Sequence, residues 1–155
     1  MRSRGSYMSG TPTVQEKYAL FQKLAGEYEY LGALAQTIEQ QLRLIDAAQL
    51  ELASTIGSLK ELSERASGRE ALVPVGSGVM MQATLNSFDR LLVLLGQNVY
   101  AKMSPGQIEE YLNGRLKVMK AQSDELVGEY TKTVQRLQLL QPKIERLAQE
   151  LQQAG

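Results

Sequence analysis

The sequence predicts a mainly α fold: a long antiparallel two-helix coiled coil whose helices are separated by two central β-hairpins. Two stretches, Phe21 to Leu59 and Leu112 to Leu151, hold an apolar seam at strictly alternating steps of three and four residues. A 3.5-residue period sustained this long specifies a coiled coil. The stretches match in length and mirror one another about Asn86, so they pair antiparallel end to end, with both termini at one tip. Between them lie short β-prone runs separated by turn residues.

Residues 1–13 open the chain as a small, polar, Arg-containing tail without the apolar stretch of a secretory signal, and are expected to be disordered. The first helix is expected over 14–66, with Glu16 in its first turns, where an acidic group suits the helix dipole. Its outward positions are read as polar, with i,i+4 pairs Glu39–Arg43 and Glu61–Arg65. Gln49 interrupts its seam, and Ser67-Gly68 ends it. Gly26 and Gly32 each cost about 1 kcal/mol relative to Ala in a helix interior. Pro142 of the second helix falls at similar height and removes a helical hydrogen bond. Together they suggest a tip that splays to expose its seam, although tolerated surface substitution reads equally well.

Residues 71–103 follow a different grammar. Leu72-Val73-Pro74-Val75 is β-prone, Gly76-Ser77-Gly78 turns, and Val79 to Leu85 alternates. After a turn at Asn86–Asp89, Leu91 to Leu95 is continuously apolar, Gly96-Gln97-Asn98 turns again, and Val99 to Met103 closes a second hairpin. Short strands apolar on both faces cannot be covered within one two-helix chain, and their edges are unpaired templates. The expected solution is an intersubunit β-barrel platform built from hairpins of several chains; a β-cap folded over the helix base is the alternative. The second helix, 105–152, starts at Ser104 as N-cap, Pro105 at N1 and Gln107 at N3. Ser123 and Thr133 interrupt its seam.

Composition excludes several classes. Lys and Arg total 17 against 17 Asp and Glu. Residues 14 to 66 carry 5 basic and 8 acidic side chains and residues 105 to 155 carry 7 of each, so neither arm is a basic stripe and no nucleic-acid partner is expected. No apolar run is long enough to span a bilayer, so no membrane partner is expected. With Cys and His both absent, disulfides are excluded and the commonest metal ligand and general base are missing. No phosphate-binding loop opens a helix: Gly76-Ser77-Gly78 precedes a strand. The carboxylate pairs Glu109-Glu110 and Asp124-Glu125 point to different helical faces. The chain is therefore expected to be no enzyme and to carry neither cofactor nor metal.

The order helix, two β-hairpins, helix resembles the alpha-type subunits of the prefoldin (GimC) family. The resemblance spans residues 14 to 152. It is carried most specifically by Leu72-Val73-Pro74-Val75-Gly76-Ser77-Gly78, the alternating strand to Leu85, and Gly96 with Val99-Tyr100-Ala101. Beta-type subunits carry one hairpin, whereas two are readable here. The resemblance implies a cytoplasmic hexamer of two alpha-type and four beta-type subunits. It also implies an ATP-independent holdase that captures unfolded client polypeptides at its coiled-coil tips and delivers them to a group II chaperonin. On that basis Leu72, Val73, Val75, Val79, Met81, Leu92, Leu94, Val99 and Tyr100 are expected to serve assembly. Tyr18, Phe21, Leu24, Tyr28, Leu140, Ile144, Leu147 and Leu151 are expected to contact clients, unless the intact seam buries them. Glu16, Glu27 and Glu29 offer an acidic outer surface for the chaperonin. The alternative function is a coiled-coil scaffold or filament-forming prefoldin-like structural protein, because hairpin platforms that do not close extend head to tail.

Overall fold

The computed structural model describes residues 10–65 and 67–155. Positions 1–9 of the expected tail, and Ala66 at the expected end of the first helix, lie outside the described residues. The elements run α1 (Val14–Arg65), β1 (Glu70–Gly76), β2 (Val79–Thr84), β3 (Leu91–Gly96), β4 (Val99–Met103) and α2 (Pro105–Gln153). This is the predicted two-helix, two-hairpin order.

Both helices begin on a reciprocal cap. At α1 the Thr13 backbone N–H donates to Glu16 Oε2 at 2.9 Å, and the Glu16 N–H donates to Thr13 Oγ1 at 3.2 Å. At α2 the Ser104 N–H donates to Gln107 Oε1 at 3.0 Å, and the Gln107 N–H returns to Ser104 Oγ at 3.3 Å. Each box satisfies two otherwise orphaned donors of a first helical turn. The second box is the one expected from the sequence; the first adds a capping role to Glu16.

The chain forms two compact units: residues up to Gln41 together with Leu126–Gly155, and Leu42–Glu125. In the second unit, Leu52 and Ile56 of α1 pack with Ile108 and Leu112 of α2, and Leu91, Val93 and Met103 of the β3–β4 hairpin pack against that cluster. Lys60 bridges to Glu109 across the helices at 3.1 Å. In the first unit, Ala35, Ile38, Thr133 and Leu140 are buried at the helix pair. Lys17 meets Glu150 at 2.8 Å, and Arg136 Nε donates to Glu27 at 2.7 Å. The predicted pairs Glu39–Arg43 and Glu61–Arg65 are not among the ion pairs of the described residues. Glu39 instead accepts the Tyr130 hydroxyl hydrogen at 2.6 Å. Charge therefore works between the helices more than along them.

Strand β1 pairs antiparallel with β2, and β3 with β4, as two separate two-stranded sheets. The hairpins share one tip geometry. Gly76 and Gly96 both sit at φ 135°, followed by Ser77 (49°) and Gly78 (80°) in one and Gln97 (44°) and Asn98 (62°) in the other. Positive φ at both central residues gives the two-residue turn whose twist suits a hairpin. The register shifts before each turn, between Pro74 and Gly76 and between Leu94 and Gly96. The tips are thus two copies of one device, each ending in a valine, Val79 or Val99.

Candidate functional site

Period-two alternation decides which hairpin side chains face the helices. In β3, Leu91 and Val93 are half-buried while Leu92, Leu94 and Leu95 are exposed; in β4, Ala101 and Met103 are half-buried while Val99 and Tyr100 are exposed. The inner face of the β3–β4 hairpin therefore rests on the Leu52–Ile56–Ile108–Leu112 cluster. Leu91 to Leu95 was expected to need cover on both faces: within the chain the face carrying Leu91 and Val93 is covered, and Leu92, Leu94 and Leu95 stay exposed. The β1–β2 hairpin differs. Only Ala71, Ala83 and Leu85 at its root are half-buried, while Leu72, Val73, Val75, Val79, Met80 and Met81 are exposed. Successive exposed residues project to opposite faces, so this hairpin is bare on both.

All nine residues expected to serve assembly are exposed, with Leu72 at 64% and Leu92 at 67%. Concentrated on two short hairpins, they exceed the scattered surface apolar residues of an ordinary monomer. One groove is lined by Lys102 and Met103 of β4 together with Arg90, Tyr111, Arg115, Val118 and Met119. A second lies beside β3, where Phe88, Leu91 and Val93 meet Leu59 and Leu62 of α1. Both continue the apolar character of the hairpins onto the adjoining helices.

The residues expected to contact clients divide by exposure. Tyr18 (54%) and Tyr28 (37%) are exposed; Phe21, Leu24, Ile144, Leu147 and Leu151 are half-buried along the seam. Leu140, at 1%, is the most buried side chain of the described residues and reaches solvent only if the helices part. Tyr18 forms a shallow apolar hollow with Val14, Gln15 and Leu151. Leu20, Tyr30 and Leu139, which the sequence does not assign to client contact, are exposed in the same unit; for Tyr30 this departs from the core packing expected of the near-seam tyrosines. They lie off the seam, where periodicity assigns polar residues; Leu44 and Leu50 break the same expectation on α1 of the other unit.

The seam interruptions have different fates. Thr133 is buried, but its hydroxyl donates to the Glu129 carbonyl at 2.9 Å. Gln49 carries a buried amide nitrogen with no partner among the described residues. Helix α2 runs through Pro142 without interruption, and at Gly26 and Gly32 an added Cβ meets only open space.

Electrostatics in the first unit follow the cross-helix contacts. The hydrogen bond from Arg136 holds the Glu27 carboxyl below the ordinary carboxylate range, and the one from Lys17 does the same for Glu150. Donation to Glu39 raises the Tyr130 phenol above its ordinary value. Of the three acidic residues proposed to face a chaperonin, Glu16 closes the α1 cap and Glu27 is held by Arg136, while Glu29 is exposed and has no such contact among the described residues. Among the described residues no group of His, Cys, Asp or Glu is placed to hold a metal, and no helix is long and apolar enough to cross a membrane. What the surfaces offer is apolar contact and strand pairing.

The family model described as "Prefoldin subunit" matches residues 31–150. "Prefoldin subunit alpha" of Thermofilum pendens is 28% identical over 123 residues, covering 79% of this chain and 95% of that protein. The protein of the same description from Methanothrix thermoacetophila is 32% identical over 119 residues, covering 77% and 76%. That from Pyrococcus horikoshii is 30% identical over 135 residues, covering 85% and 87%. A solved structure, "Cryo-EM structure of filamentous PFD from Methanocaldococcus jannaschii", shares the fold with a TM-score of 0.56 at 24% identity, over 81% of this chain and 98% of that one.

Proposed function

The chain belongs to the prefoldin family as an alpha-type subunit, and on that footing we propose that it works as an ATP-independent holdase within a cytoplasmic assembly of two alpha-type and four beta-type subunits. The hairpins build the platform through Leu72, Val73, Val75, Val79, Met81, Leu92, Leu94, Val99 and Tyr100. Each of these otherwise leaves apolar surface in water at roughly 25 cal/mol per Å². The observation that carries the reading is the exposed apolar surface on both hairpins of a chain that belongs to this family.

Client capture is assigned to the ends of the helices near both termini. Tyr18 and Tyr28 make first contact, and Phe21, Leu24, Ile144, Leu147 and Leu151 add surface as the seam opens. Leu140 joins only on wider separation. Contact at one arm is weak, and several arms acting on one chain supply the avidity. Delivery to a group II chaperonin completes the proposed cycle, with Glu29 the acidic residue best placed to contribute. The work is binding and release, and the chain is proposed to need no cofactor and to catalyse no reaction.

A photo-crosslinking residue at Tyr18, compared with one at Val118, tests where clients bind. Unfolded client is expected to label the Tyr18 position strongly and the Val118 position little; equal labelling at both contradicts tip capture. The filamentous form belongs to the Methanocaldococcus jannaschii protein, and at 24% identity that likeness conveys fold. For this chain with a beta-type subunit, light scattering is expected to give one fixed mass; a mass that climbs with concentration supports the scaffold alternative.

A further inference from the structure

The two hairpins share turn geometry but not support. The inner side chains of the β3–β4 hairpin, Leu91, Val93 and Met103, rest on the buried helix-base cluster. The β1–β2 hairpin is seated only at its root and exposes apolar side chains on both faces beyond it. Each hairpin is a separate two-stranded sheet, so both outer edges of the β1–β2 hairpin lack a strand partner among the described residues. An isolated two-stranded hairpin is at best marginally stable in water, whereas one packed against helices gains independent stability. Local stability follows the number of buried apolar contacts, and beyond its root the β1–β2 hairpin has few.

We propose that the two hairpins join the assembly by different physical routes. The β3–β4 hairpin is preformed and docks as a rigid one-faced surface. The β1–β2 hairpin is conditional: its strands gain lasting order only when strands of a neighbouring prefoldin subunit pair with its edges and cover its faces. The neighbour is the occupant because the exposed Leu72, Val73, Val75, Val79 and Met81 of this hairpin are themselves among the residues assigned to assembly. The proposal rests on that assembly reading. Conditional order also protects the unassembled chain, since a long rigid apolar edge invites indiscriminate strand pairing.

Hydrogen–deuterium exchange on the full chain tests this, first at concentrations where light scattering shows a monomer and then with a beta-type prefoldin subunit. In the monomer, amides of Leu91–Met103 are expected to exchange more than about tenfold more slowly than those of Glu70–Thr84. On assembly, the larger gain in protection is expected in Glu70–Thr84. A Leu91→Ala, Val93→Ala variant supplies a second reading: it removes the inner contacts of the β3–β4 hairpin and is expected to abolish the monomer contrast. Equal protection of both hairpins in the wild-type monomer overturns conditional order while leaving assembly intact. A monomer contrast followed by no gain at Glu70–Thr84 in an assembly of the expected mass overturns the coupling to partners. Failure to reach that mass with a beta-type subunit counts against the assembly reading and is seen independently by light scattering.

Discussion

Tyr130 reaches across the helix pair to donate its hydroxyl hydrogen to Glu39 at 2.6 Å, joining α2 to α1 in the unit that carries both ends of the described chain. The contact raises the phenol above its ordinary value, first because ionisation would lose the hydrogen bond it donates to Glu39, and also because it would set a phenolate against a carboxylate. With a raised folded value, its stabilisation is fully present below the ordinary phenol range and is lost as pH rises through the folded value. Tyr130→Phe is therefore expected to lower the melting temperature at neutral pH and to flatten the alkaline loss seen for the unaltered chain. Thermal melts by circular dichroism across alkaline pH check both effects.

Glu27 and Glu150 shift the opposite way. Each is held low by its cationic partner, so its stabilisation is present above the ordinary carboxylate range and is lost as pH falls through the lowered folded value. Both contacts are solvent-facing and screened by salt. The Arg136→Met, Lys17→Met variant is expected to lose the salt-sensitive part of the acid transition without changing helix content at neutral pH. A transition that stays salt-sensitive in the variant argues against these pairs.

Gln49 occupies a seam position with its amide nitrogen buried and unpaired among the described residues. An unsatisfied buried polar group costs about 1–3 kcal/mol. Gln49→Leu is expected to stabilise the chain by a similar amount in urea unfolding. Polar seam residues also fix register in coiled coils, so the same variant is expected to broaden cross-helix disulfide pairing between engineered cysteines.

Gly26 and Gly32 leave open space where a Cβ would stand. Gly26→Ala with Gly32→Ala is expected to add roughly 1 kcal/mol of helix stability per site. If tip splaying contributes to capture, this stiffer variant holds unfolded client less well at equal assembly. Unchanged capture with raised stability makes the glycines tolerated substitutions.

The caps offer a smaller change. Ser104→Ala is expected to cost about 1 kcal/mol and Thr13→Ala a similar amount, each read by urea unfolding of the full chain.

Much of this architecture is written in periodicity. Every seam position from Phe21 to Leu59 and from Leu112 to Leu151 is buried or half-buried, Tyr28 excepted, because a 3.5-residue repeat leaves the helices one way to meet. The hairpins were legible from Gly76-Ser77-Gly78 and Gly96-Gln97-Asn98, whose residues suit a tight turn. The inward packing of Leu91 and Val93 was not, because five consecutive apolar residues show no alternation. Periodicity also does not tell an open seam from a closed one, and Leu140, read as a contact residue, packs among the most buried. The Thr13–Glu16 box has a readable signature, Thr followed three residues later by Glu, beyond the dipole effect that Glu16 alone suggests. Nothing in the structure explains the exposure of Leu44 and Leu50.

The measurement that most directly tests tip capture is suppression of aggregation of a chemically unfolded client without ATP. It compares the assembly of this chain with a beta-type subunit against the same assembly lacking residues 1 to 26 and 146 to 155 of this chain. The account predicts strong suppression by the full assembly and its loss on removal of the tips, with the assembly mass reduced only by the deleted segments. Equal suppression by both, or none by a well-formed assembly, contradicts it.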